Sequence, residues 1–316
     1  MSHSMTLVPA SAHFIWFGAD LPWVYRLALR SAAERGGFDR VVLHHEPALL
    51  GSTALAELAR VPRVETRLLD PQAMLESCPD GAALVDVYRA LELPAARANV
   101  MRAALLYTEG GVYLDTDTVT LRTFDDLRRD GAFCGAERVV YPAGVRQSSD
   151  PLVRATAFVR GSTRALLREM PQGWRWFRAI ENLYPAVVNN AVLGAPPRHP
   201  FVGRLLQGMR ELPAASRTVR FALGTHLLQR VANEWQGRPG FTVHPPPVFY
   251  PLGPEISTHW FRFGTARLKE VLQPETRLVH WYASVRTRDR VPNIDARWIH
   301  RNADRQLFSA LARPFV

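Results

Sequence analysis

The sequence predicts an α/β fold, a mostly parallel, doubly wound sheet with a helical insertion in its second half. Three observations carry that reading. Short apolar runs alternate with stretches of helical period through the first 114 residues. Gly36-Gly37 and Gly110-Gly111 punctuate the alternation. No compositional break divides the chain, so one domain is expected over residues 1–316.

Taken in order, residues 13–17 (HFIWF) read as a buried strand and residues 22–34 as a helix that Gly36-Gly37 stops. Residues 40–44 (RVVLH) form a second strand, residues 54–60 a helical stretch and residues 64–69 a third strand. Pro94 suits the first turn of a helix. Residues 95–108 continue it, with Val100, Ala103, Ala104 and Tyr107 at core spacing, until Gly110-Gly111 ends it. Val112-Tyr113-Leu114 is a short strand, and Asp115-Thr116-Asp117 sits just past it. In open α/β sheets, ligands bind beyond the carboxyl ends of the strands, so these two carboxylates stand where chemistry is expected.

The second half is less regular. Residues 164–180, 201–212 and 221–235 read as helices, residues 241–244 and 277–282 as strands, and residues 244–254 as a Pro-rich loop.

Composition narrows the function classes. Hydrophobic residues make up 47% and charged residues 22%, which excludes a disordered chain. Cys78 and Cys134 cannot build a disulfide framework, and there is no CxxC for zinc. No apolar window is long enough to span a bilayer. The first residues lack a basic segment followed by an apolar one, so no signal peptide is expected and a cytoplasmic location is. The formal net charge is +10, and Lys269 is the sole lysine among 39 basic residues. The arginine skew has two readings, GC-rich coding or the reception of a polyanion.

The DxD motif carries the chemistry. Asp115 and Asp117, one residue apart, can approach one divalent cation, and hard oxygen ligands suit Mg²⁺ or Mn²⁺, ions that commonly hold substrate phosphates. A lone DxD is most often a solvated turn. Here a helix, Gly-Gly and an aromatic strand precede it.

The segment ARANVMRAALLYTEGGVYLDTDTVTL resembles the DXD-containing sugar-binding region of glycosyltransferases. That group includes initiating α-1,6-mannosyltransferases, capsular-polysaccharide transferases and clostridial glucosylating toxins. HFIWFG near the start and HWYASV near the end are similar to the group's first strand and closing segment. The resemblance implies a GT-A fold, a UDP- or GDP-sugar donor, Mn²⁺ or Mg²⁺, and hexosyl transfer with retention. It divides the chain into a nucleotide-sugar-binding half, residues 10–125, and acceptor-side helices with a closing strand, residues 126–316. It implies that Asp117 binds the metal, that Asp115 contacts ribose, sugar or metal, and that Arg102 faces sugar and phosphate. Trp16 would pack on the base, while Tyr113, Gly110 and Gly111 fit the same strand entry. The group's Ser-Asp is replaced by Ala98-Asn99, and Asn99 shares a helix face with Arg102. Ser284 is followed by Val285 where the group has Ser-Trp.

Further candidates have bland counterparts. His280, at a strand end, either completes the metal site or is a satisfied core histidine. Ser284 can reach the diphosphate from the same segment. Asn189-Asn190 is expected before a helical turn, Asn189 as a cap and Asn190 as a site residue. Gly224-Thr225-His226 reads as a plain helix start, and Glu137 as a residue near the acceptor. The arginines at 217, 220, 286, 288 and 290 suit solvated surface, or contact with an anionic acceptor or lipid headgroup.

Two other functions compete. A haloacid-dehalogenase-like phosphatase shares the DxDxT pattern, but expects it near the N-terminus with a later lysine and a GDxxxD that is absent here. A non-enzymatic basic protein binding nucleic acid or an anionic surface fits the charge, but no nucleic-acid-binding signature supports it. The expected partner is the nucleotide sugar, with an acceptor that is a glycan, lipid-linked saccharide, small molecule or protein. No specific nucleic acid is expected, and peripheral membrane contact and oligomeric state stay open.

Overall fold

The computed structural model describes residues 7–219, 221–264, 267–283 and 289–316. Its core is a seven-stranded sheet. In chain order the strands are β1 (Ser11–Trp16), β2 (Arg40–His45), β3 (Val64–Leu68), β4 (Gly111–Leu114), β6 (Ala132–Arg138), β7 (Ala186–Ala195) and β8 (Phe241–His244). Their spatial order is β3-β2-β1-β4-β7-β6-β8. β3, β2, β1 and β4 run parallel, β7 is antiparallel to both of its neighbours, and β8 is parallel to β6. The mixed α/β fold with a mostly parallel sheet is the one the sequence predicts. A separate two-stranded ribbon pairs β5 (Thr118–Thr120) with β9 (Leu278–His280).

Both faces of the sheet are covered, which explains why its first strands read as apolar runs. In β4, Val112 and Leu114 join a cluster with Ala28, Leu29 and Ala32 of helix α1 (Trp23–Arg35). Tyr113 points the other way, into a cluster with Val100, Met101 and Ala104. Those residues lie on helix α5 (Pro94–Thr108), backed by the helices Pro200–Glu211 and Leu227–Glu234. Between β2 and β4 come α2 (Thr53–Leu58), α3 (Pro71–Glu76) and α4 (Gly81–Arg89). The last two have no counterpart in the sequence reading.

Three expectations of the second half are corrected. Asn189 and Asn190 do not precede a helical turn; they lie inside β7, a ten-residue strand between β4 and β6. Its apolar flanks, VV and AVL, satisfy the buried sheet, and the polar pair hides the strand from pattern reading. The helix expected over 164–180 is two helices, Pro151–Glu169 and Gly173–Ile180. They part at Gln172, whose φ of 53° no helix continues through. The helix expected from 221 begins regularly only at Leu227, after a π-type turn over Ala222–His226 that is kinked at Gly224.

Candidate active site

The site forms where β4 ends and the β5–β9 ribbon begins. β4 delivers Asp115, and the hydroxyl of Thr118 donates to the Asp115 carbonyl at 2.7 Å, closing the turn that presents Asp117. The pairing Thr118↔His280 then brings β9 alongside. The segment after β9 wraps Asp117: Trp281 N–H donates to its carbonyl at 3.0 Å and Ala283 N–H to Oδ2 at 2.8 Å. His280 Nε2 lies 3.0 Å from Oδ1. One ligand atom from each of Asp115, Asp117 and His280 falls within 4.8 Å of the others.

Electrostatics hold this trio. Burial raises the Asp117 pKa, but the His280 charge and the donors from His280 and Ala283 outweigh it, and the carboxyl stays below its usual range. For His280, burial lowers the pKa, yet Asp117 and then the Asp115 and Glu137 carboxylates prevail, and the imidazole is raised. His280 Nδ1 is buried without a hydrogen-bond partner among the described residues.

A bulge in β7 builds the other side. β6 pairs Cys134 with Leu193 and then Gly135 with Asn189, so three β7 residues intervene on one side of the ladder. On the β4 side the ladder continues past Leu114↔Val192, so the Ala191 carbonyl accepts from Asp115 N–H at 2.8 Å, and the Asn190 carbonyl accepts from Arg102 Nη1. Arg102, buried on α5, lies 3.2 Å from Asp115 Oδ1 through Nη2 and 4.2 Å above the Tyr113 ring. Tyr113 donates its hydroxyl to the same Asp115 oxygen at 2.8 Å. Asn190 Nδ2 donates to Asn99 Oδ1 at 2.8 Å. The predicted Arg102, Asn99, Tyr113, Asn190, Asp115, Asp117 and His280 thus form one connected set.

Trp16 ends β1 at the same edge of the sheet. Its indole donates to the Asp20 carbonyl and packs 5.0 Å from Tyr25, which stacks 5.7 Å from Trp281 beside His280. Gly111 stands apart. It opens β4 at the end opposite Asp115, with φ of 100°, where a Cβ would lie 2.7 Å from the Ser11 carbonyl and 2.9 Å from His13 Nε2. It lets β4 close against β1 and is not brought to the carboxylates. Ser284 lies outside the described residues, as do the arginines at 220, 286 and 288.

Sequence reasoning gave Glu137 no firm place, and the structure buries it behind the trio. Its Oε2 accepts from Asn189 Nδ2 at 2.6 Å and from the Tyr282 hydroxyl at 2.8 Å. Burial pushes its pKa up to about 7, against those two hydrogen bonds. Asn189 caps no helix; its Oδ1 accepts Ala191 N–H at 2.7 Å inside the bulge. The available signal was an acidic residue closing an otherwise apolar run, AFCGAER. Gly224 also meets the site, since a Cβ there would lie 2.9 Å from Asn99 Nδ2 and 3.0 Å from Asn190 Nδ2.

Residues 34–133 match the family model described as glycosyltransferase sugar-binding region containing DXD motif. No curated protein matches the sequence. Among solved structures, the chain is similar to the PaToxG glycosyltransferase at 13% identity and a TM-score of 0.48, covering 73% of this chain and 70% of that one. It is similar to mouse xyloside xylosyltransferase 1 in its apo form at 14% identity and a TM-score of 0.46, covering 85% and 96%. It is also similar to the UDP-bound glycosyltransferase domain of the YGT toxin at 10% identity and a TM-score of 0.43, covering 75% and 80%. Residues 34–133 match the DXD-containing sugar-binding region of glycosyltransferases, which supports a transferase.

Proposed function

We propose that the protein transfers a hexose from a UDP- or GDP-sugar with the help of a divalent ion and with retention of anomeric configuration. The observation that carries this reading is the convergence of Asp115, Asp117 and His280 ligand atoms at the carboxyl end of β4. Two carboxylates and one imidazole suit Mn²⁺, and Mg²⁺ less well because of the nitrogen ligand. His280 Nε2, 3.0 Å from Asp117 Oδ1, is the nitrogen turned toward the carboxylates. When bound, the ion neutralises charge on the departing diphosphate.

The chain's own residues prepare that step. Asp117 is kept ionised and fixed in orientation by His280 and the Ala283 N–H. Arg102 is locked between Asp115, the Asn190 carbonyl and the Tyr113 ring, which sets the direction of the Asp115 carboxylate before substrate arrives. The Asn99–Asn190 pair, closed over by Gly224, supports contact with the sugar. Trp16 supports packing on the base. The reading assigns residues 10–125 to the donor and residues 126–316 to the acceptor side and closing strand, with β7 and β9 returning to complete the donor site.

The test is Asp117→Asn, which preserves shape and removes the charge. Turnover of a panel of UDP- and GDP-sugars with Mn²⁺ is expected to fall at least about a hundredfold. Melting should stay within a few degrees of the wild type. Full activity in the variant overturns the assignment.

A further inference from the structure

The helix Pro151–Glu169 is two-faced in an unusual sense. Ala157, Gly161 and Leu167 are buried, and Leu167 packs in the cluster that includes Trp174, Phe177, Trp260 and Trp281. Arg164 and Arg168 turn inward to Glu255. The outward face is apolar. Leu152, Val159 and Leu166, spaced seven residues apart, line one edge of the helix, and they are 75%, 62% and 64% exposed. Ala155 and Ser162 fill the intervals of that stripe, and Phe158 beside it is 70% exposed. No charged residue interrupts the stripe between Leu152 and Leu166. Arg154 and Arg160 border it on its two sides, and neither makes an ion pair among the described residues. Trp176, on the following helix, and Leu183 just beyond it are exposed as well.

We propose that this face docks on an anionic membrane surface. A monomer in water gains nothing from four large exposed apolar side chains on a single helix. A helix with Leu, Val and Phe outward and arginines at the margins is the arrangement that lies in a headgroup interface. The apolar side chains enter the acyl boundary, and the guanidinium groups reach acidic lipid. Charge selects this occupant over a second copy of the chain. The protein's formal charge is +10, so a second copy repels it and an anionic bilayer attracts it. No described helix is long and apolar enough to cross a membrane, so the contact is one of lying on the surface.

The experiment is co-sedimentation of the full chain with phosphatidylcholine vesicles, with and without phosphatidylserine. The wild type is expected to pellet with the phosphatidylserine vesicles and to stay in the supernatant with phosphatidylcholine alone. Val159→Glu/Leu166→Glu should lower the bound fraction about tenfold or more. Arg154→Glu/Arg160→Glu should weaken binding and blunt its dependence on phosphatidylserine. Arg154, Val159 and Leu166 face solvent and Arg160 is half-buried, so both variants should melt close to the wild type. The proposal is overturned if the wild type ignores phosphatidylserine vesicles, or if Val159→Glu/Leu166→Glu binds them unchanged. It is also overturned if size-exclusion chromatography shows a dimer that this variant converts to monomer, since the face then serves self-association.

Discussion

At the residue scale, the proposed metal site sets a proton against an ion for His280. Burial lowers the imidazole pKa but the Asp117 carboxylate prevails and raises it, so in the proposed reading metal binding competes with a proton there. Mn²⁺ affinity, followed by titration calorimetry, is therefore expected to rise with pH through the neutral range. His280→Gln should weaken the ion and flatten that rise. Glu137 gives a separate signature. Its folded pKa of about 7 exceeds the 4.5 it has unfolded, so its contribution to stability is fully present below about 4.5 and is lost as pH rises to about 7. Glu137→Gln, which cannot ionise, should gain stability relative to the wild type between pH 5 and pH 8, by about 3 kcal/mol at most. Thermal melting at the two pH values measures it, and an unchanged difference would remove the ionisation from the account. Asp115, Asp117 and Arg102 were legible because they lie within one contiguous motif. Glu137 was not, because its partners Asn189 and Tyr282 stand 52 and 145 residues away along the chain.

At the element scale, β7 turns a sheet into a site. A strand with the polarity of its neighbours would keep its carbonyls in the ladder. The bulged β7 instead turns the Asn190 carbonyl to Arg102, while its antiparallel ladder with β4 carries the Ala191 carbonyl on to Asp115. The π-type turn at Gly224 seats against the Asn99–Asn190 amide pair from the opposite direction. Gly224→Ala is expected to push that pair apart, raising the KM for the sugar nucleotide severalfold with a small change in melting temperature. Equal KM values would separate the turn from the donor site. The parallel strands β1, β2 and β4 were readable because two covered faces demand apolar runs, while β3 (VETRL) is a partly exposed edge strand. β7 escaped because two asparagines break its run, and β5 because three residues are too short to show a period, whereas β9 falls within the strand expected over residues 277–282.

At the scale of the whole molecule, the excess of arginine has several uses. Arg102 orients the DxD motif, Arg164 and Arg168 tie the helix Pro151–Glu169 to Glu255, and Arg67 and Arg40 meet Glu109 behind the sheet. Many basic side chains are thus internal ties, and net charge alone could not have located the site. The fold assembles the proposed donor pocket from distant segments: β4 and α5 from the first half, β7 and β9 from the second. The central claim is that this pocket works through a divalent ion. Its most direct test is release of nucleoside diphosphate from the sugar nucleotide, measured in EDTA and again after Mn²⁺ is restored. The account predicts a loss of at least about a hundredfold in EDTA and full recovery with Mn²⁺. Undiminished release in EDTA would contradict it.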